Sequence, residues 1–124
     1  MTIQRMDHVG IVVEDLADAV AFFAELGLQL EGQATIGGRS VDRVVGLEGV
    51  RSDVAMMRTP DGQGRLELIK YHTPSGRDGD PRAPANALGI RHVTFAVDDL
   101  DAVLARLRAR GAELVGELEH YENS

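Results

Sequence analysis

Two stretches of this chain are near copies of each other. "DHVGIVVEDL" occupies residues 7 to 16 and "RHVTFAVDDL" residues 91 to 100. An offset of 84 aligns His8 with His92, Val9 with Val93, Val13 with Val97, Asp15 with Asp99, Leu16 with Leu100, Ala21 with Ala105 and Gly27 with Gly111. Such a repeat constrains the fold more than composition does, because both copies must make the same local structure. In each the hydrophobic period changes at the same place. "HVGIVV" and "HVTFAV" read as largely buried strands, whereas Leu16, Val20, Phe23 and Leu100, Leu104, Leu107 fall at helical spacing. Asp15 and Asp99 can accept the free amide hydrogens of a first helical turn, and Gly27 and Gly111 suit a helix end with positive φ. The spacing predicts helices over 15–27 and 99–111.

Between the copies, "LQLEGQATIG" reads as a strand and "GRSVDRVVGLEGV" as an irregular or briefly helical excursion. "SDVAMMRT" and "RLELIKYH" read as two strands joined through "PDGQG", a turn made credible by proline, aspartate and glycine. Residues 1–72 thus form a first βαβββ module. Residues 73–89, with three of the four prolines, read as a linker or an ordered functional loop. Residues 90–124 begin a second module as strand, helix and a further strand, "AELVGELEHY", all within one domain spanning 1–124.

The rest of the sequence narrows the function. A chain of 124 residues with 44% hydrophobic content suffices for one domain with a core. A formal charge of -7 gives no reason to expect nucleic acid or an anionic membrane as partner. The absence of cysteine excludes thiolate chemistry and disulfides. The opening "MTIQRMDHVG" lacks the pattern of a signal peptide, and no apolar run approaches the ~20 residues that cross a bilayer, so the expectation is a cytoplasmic protein.

Three segments carry a family resemblance over essentially the whole chain: "DHVGIVVEDLADAVAFFAELGL", "GRLELIKYHTP" and "LGIRHVTFAVDDLDAVLARLRARGAELVG". The sequence resembles the vicinal oxygen chelate superfamily, which includes glyoxalase I, bleomycin-resistance proteins, methylmalonyl-CoA epimerase and extradiol dioxygenases. The resemblance implies an α+β fold in which two tandem βαβββ modules form a cupped mixed sheet around a divalent metal. It also implies that His8, Glu67 and His92 occupy metal-ligand positions, and that a homodimer acting on a small-molecule substrate is to be expected.

The residues give this assignment a rationale of their own. His8, Gly10 and Val12 share one face of a strand, and His92, Thr94 and Ala96 the matching face of its repeat. Glu67 stands between Leu66 and Leu68, so either Glu67 or its neighbours face the core, and a carboxylate aimed inward needs a cation or a strong donor. Two imidazoles and a carboxylate suit zinc, nickel, manganese, cobalt or ferrous iron. The plain alternatives stand beside this: a lone strand histidine is ordinarily structural or solvent-facing, and a strand glutamate ordinarily alternates outward. His72 and His120 read as surface residues, Met56 and Met57 as core or pocket filling, and the charges of "ARLRARG" as a solvated helix face.

The second module departs from the family pattern. Glu67 plus the 84-residue offset falls past Ser124, so the position of a fourth ligand is missing. Glu117, Glu119 and Glu122 fall too early to replace it. The chain is either natively short or truncated; the exposed edge of an unfinished sheet favours truncation, and another subunit could also cover that edge. The expected function is a glyoxalase-like, divalent-metal-dependent lyase or isomerase that stabilises an enediolate or enolate, with Glu67 as the base. Dioxygenase chemistry and glutathione use fit less well. The alternative is a metal-free, bleomycin-resistance-like cleft for a small molecule or drug, against which the aromatic content of 4% argues.

Overall fold

The computed structural model describes residues 2–120. Its elements run β1 (Val9–Val12), α1 (Leu16–Leu26), β2 (Gln29–Gly37), α2 (Arg39–Val45), β3 (Arg51–Arg58), β4 (Arg65–Thr73) and α3 (Leu100–Ala109). The four strands form one mixed sheet in the order β1-β4-β3-β2, with β1 parallel to β4 and the other two pairings antiparallel. β1 and β2 therefore point the same way from opposite edges. The connection between them has to cross the sheet, and α1 makes that crossing.

Both repeat helices begin as their sequences predict. The Asp15 carboxylate accepts from the Asp18 amide at 2.9 Å and Asp99 from the Ala102 amide at 3.1 Å, each satisfying a donor that the first turn leaves free. α1 also ends as predicted, on Gly27 at φ 118°. α3 stops one residue earlier than its twin, with Arg110 as its last cap and Gly111 just beyond at φ 95°. The excursion after β2 resolves into α2. There the Asp42 side chain turns back to accept from the Gly49 and Val50 amides at 3.0 and 2.8 Å, fixing the entry into β3.

α1 lays Leu16, Ala19, Val20, Phe23 and Leu26 on one face of the sheet. Beneath them Ala55, Met57, Leu66 and Leu68 are buried, joined by Leu28, Val9, Ile11 and Phe95. Strand alternation places the intervening residues, Gly10, Val12, Met56, Glu67 and Ile69, on the opposite face. A side chain built on Gly10 would meet Ile69 Cδ1 at 3.5 Å, which confirms that these two positions share that face. At the far edge the β2–β3 register shifts between Leu30 and Gly32, so one residue, Glu31, is bulged out of the ladder. Gly37 approaches the Val50 carbonyl so closely that a Cβ there would lie 2.7 Å from the oxygen.

The second copy departs from expectation in its strands. Residues 94–97 keep the two-residue alternation, with Phe95 and Val97 half-buried and Thr94 and Ala96 exposed, but residues 92–97 pair with no strand among the described residues. Residues 112–120 are likewise not a strand, and Tyr121 lies outside the described residues. A ladder belongs to a pair of strands, and β-branched sequence alone does not supply the partner. The basic face of α3 is solvent-exposed as expected, and two of its arginines also reach across to α1. Arg110 Nη2 reaches Glu25 Oε1 of α1 at 3.4 Å and Arg106 Nε lies 3.9 Å from Glu25 Oε2, so the two repeated helices meet through one carboxylate.

Leu68 is wholly buried whereas Val12, on the other face, is 57% exposed. Leu68→Ala should therefore cost about 2–5 kcal/mol, and Val12→Ala should stay within about 0.5 kcal/mol. Urea unfolding midpoints compared at equal slope measure both.

Candidate functional site

β1 and β4 decide how the proposed donors stand. Their parallel register sets Gly10 beside Glu67 and Ile11 beside Leu68. Leu66 and Leu68 are 4% and 0% exposed, so the core takes the neighbours and Glu67 is turned to the open face. On that face Glu67 lies between Gly10, which has no side chain, and Met56 across the antiparallel ladder. The half-buried carboxylate is therefore reached past a glycine. His8 immediately precedes β1 and is exposed.

A polar network surrounds His8. Its Nδ1 lies 2.7 Å from Asp7 Oδ2, while Asp7 Oδ1 accepts from Arg5 Nη2 at 2.7 Å. Arg65 Nη1 is 3.7 Å from Asp7 Oδ2, and the same guanidinium holds the bulged Glu31 through Nη2 and Nε at 2.7 and 3.2 Å. The hydrogen bond from His8, followed by that from Arg5, keeps the Asp7 carboxyl below the usual carboxylate range. Asp7, His8 and Arg65 line a cavity of about 800 Å³ together with Leu28, Leu66 and Val103.

His92 stands elsewhere. It lines a second groove, of about 760 Å³, between the free edge of β1, the extended segment 90–97 and the helices α1 and α3. Among the described residues no three His, Asp or Glu side chains are close enough to hold a metal ion. The register thus turns Glu67 to the open face, whereas His8, just outside β1, lines the cavity with Leu28, Leu66 and Val103, and His92 lines the other groove. By donor type His8 and Glu67 fit a divalent cation; the three donors are not brought together within the described chain. Of the late glutamates, Glu122 lies outside the described residues.

Two features were hidden in the sequence. Asp7 was visible as the neighbour of His8, but its grip on the imidazole was not. His72, read as a surface residue, is 40% exposed and its Nε2 lies 2.8 Å from Asp53 Oδ2, with Thr35 donating to Asp53 Oδ1 at 2.8 Å. The partners are 19 residues apart and meet because the β3–β4 register slips between Arg51 and Ser52, leaving His72 as the extra residue. Only the hairpin register could have revealed this pair.

Known proteins place the fold. Residues 5–124 match the family model described as Glyoxalase/Bleomycin resistance protein/Dioxygenase superfamily. The uncharacterized protein YaeR of Escherichia coli (strain K12) is 28% identical over 112 residues, covering 90% of this chain and 74% of that protein. The crystal structure of a glyoxalase family protein from Bacillus cereus superposes with a TM-score of 0.95 at 48% identity, over 100% of this chain and 83% of that one.

The Asp53 carboxyl is held below its ordinary range, first by the His72 hydrogen bond and then by Thr35. A lowered carboxylate pKa means that the pair's contribution is complete above the usual carboxylate range and drains away as pH falls through the lowered value. Asp53→Asn should accordingly lower the thermal midpoint at neutral pH and leave it equal to that of the parent protein in strong acid.

Proposed function

We propose, from the premise that this chain belongs to the glyoxalase/bleomycin resistance protein/dioxygenase superfamily, that it serves a divalent-metal-dependent lyase or isomerase reaction on a small substrate with two adjacent oxygens. The observation that carries this reading is the β1–β4 register, which turns Glu67 to the open face beside the side-chain-free Gly10. His8, Glu67 and His92 are the residues that would hold the cation, which when bound stabilises the negative charge of an enediolate or enolate. His92 would have to come across the β1 edge from its present groove.

The protein's own groups supply the rest. A Glu67 carboxylate oxygen takes the proton from the substrate carbon and returns it to the adjacent one, a transfer that needs the carboxylate within hydrogen-bond reach of both. Gly10 leaves room beside that oxygen. Met56 and Ile69, on the same face, exclude water from it. In this reading the protein is a cytoplasmic homodimer, and no helix of the described residues is long and apolar enough to cross a membrane.

A second reading is favoured by the groove itself. Phe22, Phe23, Ile90, Leu100 and Leu104 give it a largely apolar lining suited to a small hydrophobic molecule bound without metal.

One measurement separates the two. Protein purified without chelator and titrated with nickel, zinc or manganese should bind one ion per site, with affinity lost in His8→Ala, Glu67→Ala and His92→Ala. A preparation that is metal-free and takes up none of these ions overturns the enzyme reading and leaves the binding cleft.

A further inference from the structure

The two histidines of the repeat are not equivalent, and the difference lies one residue upstream. Under the 84-residue offset Asp7 corresponds to Arg91. The Asp7 carboxylate touches the His8 ring, whereas the Arg91 Nε donates to the Ile90 carbonyl at 3.2 Å. No hydrogen bond reaches the His92 ring among the described residues. An ionised carboxylate can only accept, so the His8 Nδ1 that meets it must carry the hydrogen, and the ring's one lone pair is then on Nε2.

We propose that Asp7 is a positioning residue that holds His8 in its Nδ1–H form and presents Nε2 as the donor nitrogen, making His8 the preset half of the site and His92 the unset half. The carboxylate is suited to this because it is itself fixed. Arg5 holds Oδ1, while His8 and Arg65 share Oδ2, and Arg65 is anchored by Glu31 across the sheet. A carboxylate behind a ligating imidazole fixes ring orientation and raises basicity at the far nitrogen. The inference rests on the reading of His8 as a metal donor, but its central claim concerns the ring alone.

Long-range imidazole nitrogen spectra of the full chain test it, recorded without metal at an alkaline pH where the rings are neutral. His8 should give the Nδ1–H pattern in the parent protein and move to the commoner Nε2–H pattern in Asp7→Ala. His92 should give the Nε2–H pattern in both. Nickel affinity, measured by chelator competition, should fall about 10–100-fold in Asp7→Ala, and Asp7→Asn, whose amide oxygen can accept the same bond, should recover most of it. Asp7 is a surface residue, so both variants should keep the parent unfolding midpoint closely enough for the comparison. An Nε2–H ring at His8 in the parent, or an unchanged ring in Asp7→Ala, overturns the inference while leaving the proposed function intact. Nickel binding that survives His8→Ala overturns the proposed metal site, and the tautomer result then stands by itself.

Discussion

Val9 to Val12 lie in parallel beside Leu66 to Ile69, and both the core and the open face of this domain follow from that contact. A parallel pair cannot be closed by a tight turn, so the chain must travel over the sheet and back between β1 and β4. The journey supplies α1, which covers one face, and the antiparallel strands that widen the sheet beneath it. The same register puts Ile11 and Leu68 under the helix and turns Gly10 and Glu67 away from it. A slip of one residue would bury the carboxylate and expose the leucines, so the apolar packing of Leu66 and Leu68 is what holds Glu67 outward.

Much of this was legible in the sequence where the determining chemistry is local. The aspartates that cap α1 and α3 act within one turn, and Gly27 closes α1 by its own backbone freedom, so both helices could be placed to within about two residues. β3 and β4 carried their own turn signal. What depends on a partner was not legible. "HVTFAV" is as apolar a strand-like stretch as "HVGIVV", yet only the latter finds a strand to pair with among the described residues. The attachment of Arg106 and Arg110 to Glu25 likewise depends on how two helices approach, which helical periodicity on one of them does not report.

The proposed donors divide in the same way. Glu67 could be narrowed to two orientations from its leucine neighbours, and the burial of those leucines chose between them. His8 and His92 looked interchangeable under the repeat, because an alignment compares residues and not their surroundings. One has a carboxylate against its ring and the other follows an arginine turned to the backbone. Duplication has therefore preserved the pattern of the strand while changing the electrostatics around its first residue, which is how one fold can carry different chemistry in its two halves.

The bulge at Glu31 shows how far a small irregularity reaches. In an unbroken strand Leu30 and Gly32 would look the same way; one surplus residue between them reverses the phase of everything after it. It also delivers Glu31 to Arg65, a residue two strands away, and Arg65 in turn leans on Asp7 at the opposite rim. A counting error on one margin of the sheet thus becomes a mechanical brace for the other. A deletion of one residue in β2 would be felt at His8, through Arg65 and Asp7.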